Sequence, residues 1–252
     1  GLPRDELVIV TKVFNHFNPD ASRYPDLSPA HVVERCEASL GRLGIETIDL
    51  YLLHFYDELT PLAEVAEVLG RLQAQGKVRA IGVSNHTVEQ TRAQRRFGPY
   101  SVTQPPYSLI DPGIERDLLP YCQAENLGVM VYSPMHKGLL TGKYTGSETF
   151  DDFRGHHPDF QGERFRRLCE QVASVRPIAQ RYGLSIYQLV LAATLMHPAI
   201  HVAVCGIKTP EQIAEAAGAV GATLSREDYF AVRKAVLGAP APKLLDAKAD
   251  QK

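Results

Sequence analysis

Tryptophan is absent from the 252 residues, and no apolar stretch approaches the roughly 18 uninterrupted residues that a membrane-spanning helix needs. The missing tryptophan excludes nothing; the missing apolar run argues against a membrane partner. Neither sign of charge dominates, since 27 basic residues stand against 29 acidic ones, so a nucleic-acid surface is not expected. Cysteine is sparse: Cys36, Cys122, Cys169 and Cys205 lie far apart with no CxxC pair. That spacing excludes a dense disulfide framework and reads as buried thiols in a reducing compartment. The opening GLPRDELVIV lacks the charge-then-apolar layout of a signal peptide, which makes a cytoplasmic location the expectation.

Hydrophobic residues make up 44% of the chain, enough for a large core, and α/β barrels commonly occupy this length as one domain. A single domain over 1–252 is therefore expected, with 235–252 as a frayed tail. Strand-like and helix-like runs alternate throughout, the pattern of repeated βα units around a parallel sheet. Strands are expected at LVIVT (7–11), IDLYLLH (48–54), KVRAIGVSN (77–85), YSVTQ (100–104), GVMVYS (128–133) and HVAVC (201–205). Residues 15–29 read as a polar loop leading to a helix capped by Ser28, and 162–182 as one helix. The nearly continuous apolar block Leu50 to Leu53 suits a strand covered on both faces. Six βα units are counted, whereas a closed eight-stranded barrel would need two more.

In such folds the loops after the strands gather at one rim, so a polar residue at a strand's carboxyl end is placed for chemistry. The strand ends offer Lys12, His54, Ser84 with Asn85, Gln104, Tyr132 with Ser133, and the turn Gly206–Ile207–Lys208. Lysine and histidine can polarise or protonate a carbonyl oxygen. Asparagine and glutamine can bind an amide, and an aromatic face can stack on a flat ring. GIKTPEQ joins a lysine to a helix N-terminus, a natural phosphate site. His156 and His157 sit in a polar loop without nearby Cys or His partners, and Tyr24 reads as a loop residue, so no metal site is expected.

At these residues the chain resembles the aldo-keto reductase family. The segments that carry the likeness are VIVTK (8–12), IDLYLLH (48–54), GKVRAIGVSN (76–85), YSPMHKGLLTGKY (132–144) and GIKTPEQIAEA (206–216), in this order and spacing. The resemblance implies a (β/α)8 TIM barrel, of which about six βα units are present, that binds NADPH without a Rossmann domain and reduces aldehydes or ketones to alcohols. It implies catalytic roles for Lys12 and His54. Ser84, Asn85 and Gln104 would hold the nicotinamide carboxamide and Tyr132 would stack on the ring. Ser133, Gly138, Leu139 and Lys143 would hold the pyrophosphate, and Gly206, Lys208, Gln212 and Glu215 the adenosine half, Lys208 meeting a 2′-phosphate. Glutamine stands at 212 where many relatives have arginine, and alanine at 216 where many have asparagine.

The family's catalytic tyrosine and its aspartate lie upstream of the lysine, and the eleven residues before Lys12 contain no tyrosine. Two βα units and half of the tetrad are thus expected to lie outside this chain. Two readings follow: an NADPH-dependent carbonyl reductase, or a catalytically impaired or non-redox relative that binds a cofactor or small molecule. A barrel short of two strands exposes sheet edges, so homo-oligomerisation through the open edge is expected.

Overall fold

The computed structural model describes residues 2–20 and 22–238. In chain order its elements are β1 (Val10–Val13), β2 (Asn15–Phe17), β3 (Arg23–Pro25), α1 (Pro29–Leu43), β4 (Ile48–Leu53), α2 (Leu62–Ala74), β5 (Val78–Ser84), α3 (Val88–Arg95) and β6 (Tyr100–Gln104). There follow α4 (Leu118–Ala124), β7 (Gly128–Tyr132), α5 (Gly162–Ala173), α6 (Arg176–Arg181), α7 (Ile186–Leu195), β8 (Val202–Val204), α8 (Pro210–Ala217) and α9 (Arg226–Leu237). The described residues divide into two compact units, one within 2–105 and 121–129, the other within 106–120 and 130–238.

In the first unit β1, β4, β5 and β6 pair in parallel in that order, and the start of β7 adds to β6 through Val102↔Gly128 and Thr103↔Val129. In the second unit the end of β7 pairs in parallel with β8, Met130↔Val202 to Tyr132↔Val204. Six parallel strands with helices between them are the (β/α)8 type of fold, with six of its units in the chain.

Every residue of β4 is buried, as an apolar block covered on both faces requires. Each large aliphatic there contributes about 1.5–3 kcal/mol by leaving water. Asp49 is the polar member of this strand, and its carboxylate is fully engaged: Arg4 Nη2 and Ile9 N donate at 2.7 Å and Arg79 Nη1 at 2.5 Å. The bond from Ile9 ties β4 to the segment before β1. On β5, Gly82 has room for no side chain, because a Cβ would collide with the Val102 carbonyl oxygen and lie 2.7 Å from Leu52 Cδ2. The register of β5 on β6 shifts at Ile81/Gly82, next to this close approach.

Three local expectations are corrected. The polar loop 15–29 contains an antiparallel ribbon, β2 on β3, with His16 opposite Tyr24. The helix expected over 162–182 is two helices, because Pro177 lacks an N–H and its ring crowds the carbonyl one turn earlier. The first strand starts at Val10, later than expected, after a 3-10 turn at Arg4–Glu6. Helix caps follow their residue types: Thr87 with Gln90 and Ser185 with Gln188 form capping boxes, and Ser225 accepts from Asp228 N at 3.0 Å. Ser28 stands at the N-cap of α1, but its hydroxyl makes no capping bond. The tail expected to fray from 235 is helical in α9 through Leu237, capped by Gly238 with a left-handed φ of 65°, and its residues 239–252 lie outside the described residues. No helix of the described residues is long and apolar enough to cross a membrane.

Candidate active site

In the first unit, Lys12 and His54 sit at the carboxyl ends of neighbouring strands: Val13 pairs with Leu53, and His54 N donates to Val13 O at 2.9 Å. Burial lowers the pKa of the Lys12 ammonium below the ordinary lysine range. Burial also lowers that of His54, and the Lys12 charge lowers it further. The His54 ring stacks on Phe55 at 4.7 Å, and Phe55 in turn meets Phe14.

The next strand ends join this pair. Asn85 Nδ2 donates to His54 O at 2.9 Å and to Ser84 Oγ at 3.1 Å, while Ser84 Oγ donates to Gln104 O at 2.7 Å. Asn85 adopts a left-handed backbone with φ 56°, a conformation asparagine tolerates better than most residues. Ser84 and Gln104 are buried. The structure thus brings together Lys12, His54, Ser84, Asn85 and Gln104, all five of the candidates from the first four parallel strands.

His86 was not singled out from the sequence. Its ring is buried edge-on to Tyr56, with Nδ1 2.8 Å from Ser84 O, and burial pulls its pKa down to about 4. A carbonyl only accepts, so Nδ1 carries the proton and the ring is neutral. In the unfolded chain the pKa is near 6.5, so between pH 6.5 and 4 the unfolded state takes up a proton that the folded state refuses. Stability is therefore full above about pH 6.5 and declines as pH falls to about 4, by about 3 kcal/mol from this residue. Urea unfolding at several pH values should show His86→Asn losing about 3 kcal/mol less than the parent over that range; equal acid losses would rule out His86 as the cause.

The second unit holds the other candidates. Tyr132 ends β7 half-buried, its phenol pKa raised by burial. After it the backbone is repeatedly left-handed: φ is 60° at Ser133, 43° at His136, 56° at Lys137 and 93° at Gly138. The turn is closed by its own backbone, His136 N donating to Ser133 O and Gly138 N to Met135 O, both at 2.9 Å. Lys143 adds a cation: its Nζ lies 3.8 Å from where a Cβ on Gly138 would stand and 4.9 Å from the centre of the Tyr144 ring. The Lys143 ammonium is the group here suited to an anion. The Leu139 side chain is a core residue, packed with Phe160, Phe165, Leu168 and Cys169.

At the start of α8, Gly206 and Lys208 are exposed. Lys208 lies near enough to Asp152 to help lower that carboxyl's pKa to about 2, behind the larger effects of its hydrogen bonds from Arg154. Gln212 is occupied locally, its Oε1 accepting from Lys208 N at 2.7 Å and its own N bonding the Thr209 cap. Glu215 Oε1 accepts from Ser185 Oγ at 3.0 Å. The adenosine candidates are thus Lys208 and Gly206 with open surroundings, and Gln212 and Glu215 already committed to helix ends.

A match to the aldo/keto reductase family model spans residues 2–236. The chain belongs to the aldo/keto reductase family. Among its relatives, Aldo-keto reductase YhdN of Bacillus subtilis is 37% identical over 228 residues, covering 89% of this chain and 69% of that protein. The NADH-specific methylglyoxal reductase of Escherichia coli is 34% identical over 246 residues, covering 92% and 75%. The solved structure of the glycerol dehydrogenase AKR11B4 from Gluconobacter oxydans superposes with a TM-score of 0.86 at 33% identity, over 92% of this chain and 73% of that one. A nicotinamide-dependent oxidoreductase family and a TIM-barrel type of fold are thereby established for this member.

Proposed function

We propose that this family member reduces an aldehyde or ketone to an alcohol with NADPH. The observation that carries the reading is the set of side chains at the ends of β1, β4, β5 and β6: an ammonium and an imidazole with depressed pKa values beside the Ser84, Asn85 and Gln104 network. When bound, the cofactor supplies the hydride. Lys12 and His54 orient and polarise the carbonyl oxygen, and Lys12, a stronger acid than a solvated lysine, delivers a proton to it. Gln104, Ser84 and Asn85 hold the carboxamide, and Tyr132 offers its face to the ring. The left-handed turn with Lys143 takes the pyrophosphate, and Lys208 favours a 2′-phosphate. Names of relatives point to small oxygenated substrates such as methylglyoxal or glycerol. A reducing compartment such as the cytoplasm suits its four free thiols, of which Cys36 and Cys169 have pKa values pushed up to about 11 by burial.

NADPH and NADH titrations followed by cofactor fluorescence, then an aldehyde panel followed by cofactor oxidation, test the reading. NADPH should bind about tenfold tighter than NADH, a difference of about 1.4 kcal/mol, and methylglyoxal should be turned over. Binding without turnover selects the catalytically impaired alternative. No binding of either cofactor at about millimolar concentration overturns both.

A further inference from the structure

We propose that His16, Asp26 and His31 form a zinc-binding site in the first unit, independent of the carbonyl chemistry. His16 lies on β2, Asp26 directly follows β3, and His31 is in the first turn of α1. One ligand atom from each falls within 4.8 Å of the other two. The Asp26 Oδ2 atom is 3.6 Å from His16 Nδ1 and 3.8 Å from His31 Nδ1. Both separations are too long for hydrogen bonds. Bonds of about 2.0–2.2 Å to a tetrahedral zinc place neighbouring ligand atoms roughly 3.3–3.5 Å apart, so the two separations from Asp26 need to close by only a few tenths of an ångström.

The decisive group is His31. Its residue exposure is 4%, and its Nε2 lies 3.1 Å from Asn15 O. Because a carbonyl can only accept, Nε2 carries the proton, and in the neutral ring Nδ1 presents a lone pair. That Nδ1 is buried without a hydrogen-bond partner and faces a carboxylate oxygen. Two electron-rich atoms set against each other in a buried place are costly unless a cation lies between them. The outer contacts are those of a metal site. Asn15 O fixes the tautomer of His31, and Ser28 N donates to Asp26 Oδ1 at 2.8 Å, which leaves Oδ2 for the ion. His16 is held by stacking on Tyr24, centroids 4.8 Å apart, and its partial exposure leaves a way in and a fourth position for water.

A second histidine cluster shows the contrast. His136 Nε2 already meets Asp159 Oδ2 at 2.7 Å, Arg164 Nε holds Oδ1 at 2.5 Å, and His157 Nδ1 accepts from Asp159 N at 3.2 Å. Those groups satisfy one another, and Arg164 supplies the positive charge. Zinc at the first site would clip the β2–β3 ribbon to the start of α1, adding to the His31–Asn15 contact.

The chain treated with chelator, then titrated with zinc chloride against a chromophoric zinc indicator, gives the test. One zinc per chain should bind with a Kd of about 1 µM or tighter. Cobalt should give the visible absorption of a four-coordinate nitrogen and oxygen site. His16→Ala, at the most exposed ligand, should weaken zinc at least tenfold with an unchanged circular dichroism spectrum, and Asp26→Asn should do the same, while His157→Ala should leave it unchanged. Absence of binding at about 100 µM zinc, affinity unchanged in both His16→Ala and Asp26→Asn, or loss in His157→Ala would each overturn the site.

Discussion

Replacing Arg233 by methionine is expected to destabilise the second unit by about 3–5 kcal/mol, because it leaves Glu115 buried without its charge partner. The pair is enclosed, with side-chain exposures of 1% and 5%, and doubly bonded: Nη1 to Oε1 and Nη2 to Oε2, both at 2.7 Å. Tyr107 Oη donates to the same carboxylate at 2.6 Å, and Tyr229 Oη lies 3.1 Å from Nη1. Burial alone would lower the guanidinium's pKa, but the Glu115 hydrogen bond and the charges around it raise it, so Arg233 keeps its charge in this enclosed place. Urea unfolding gives the loss directly, and thermal unfolding should fall by roughly 10 °C. The double variant Arg233→Met with Glu115→Leu removes both charges and should recover much of the loss, as replaced buried pairs often do. A single variant as stable as the parent would mean that Glu115 finds water, and the pinning of α9 to the segment 107–115 would then have another source.

Lys12→Met is expected to lower kcat for carbonyl reduction by about 10²–10⁴ while cofactor affinity stays within about twofold. The reasoning rests on the proposed reaction and on the position of Lys12, half-buried at the end of β1 beside His54. A buried ammonium is a better proton donor than a solvated one, and methionine keeps the length of the side chain without the proton. The acid form of Lys12 is lost as pH rises through a pKa that burial has brought below the ordinary 10.5. The parent's kcat/KM should accordingly decline with rising pH earlier than a free lysine would require, and that limb should vanish from any residual activity of the variant. Unchanged kcat in Lys12→Met would remove lysine from the chemistry and leave His54 as the donor.

The βα alternation and the strand ends were legible in the sequence because their signals are local. The apolar block Leu50 to Leu53 suits a strand covered on both faces, and the parallel register then sets His54 next to the end of β1. Pro177 announced a helix break inside 162–182 that periodicity alone passes over, since the apolar spacing continues on both sides. Arg233 also left a trace: it shares the face of α9 with Tyr229, Val232 and Val236, where a charge needs a buried partner. Its partner Glu115 lies 118 positions away, and no local pattern names it.

The amino-acid sequence by itself determined the order of βα units, the residues at the ends of the strands and the family to which they belong, because period, cap and motif act over a few residues. Only the tertiary structure decided which side chains are already spoken for. It bonded Gln212 and Glu215 into helix ends, seated Leu139 in a core and neutralised His86 by burial. It also set His16, Asp26 and His31 face to face across a ribbon that the sequence presents as an ordinary loop. Those outcomes depend on distance in space and on exclusion of water, and neither quantity is written in the spacing of residues along the chain.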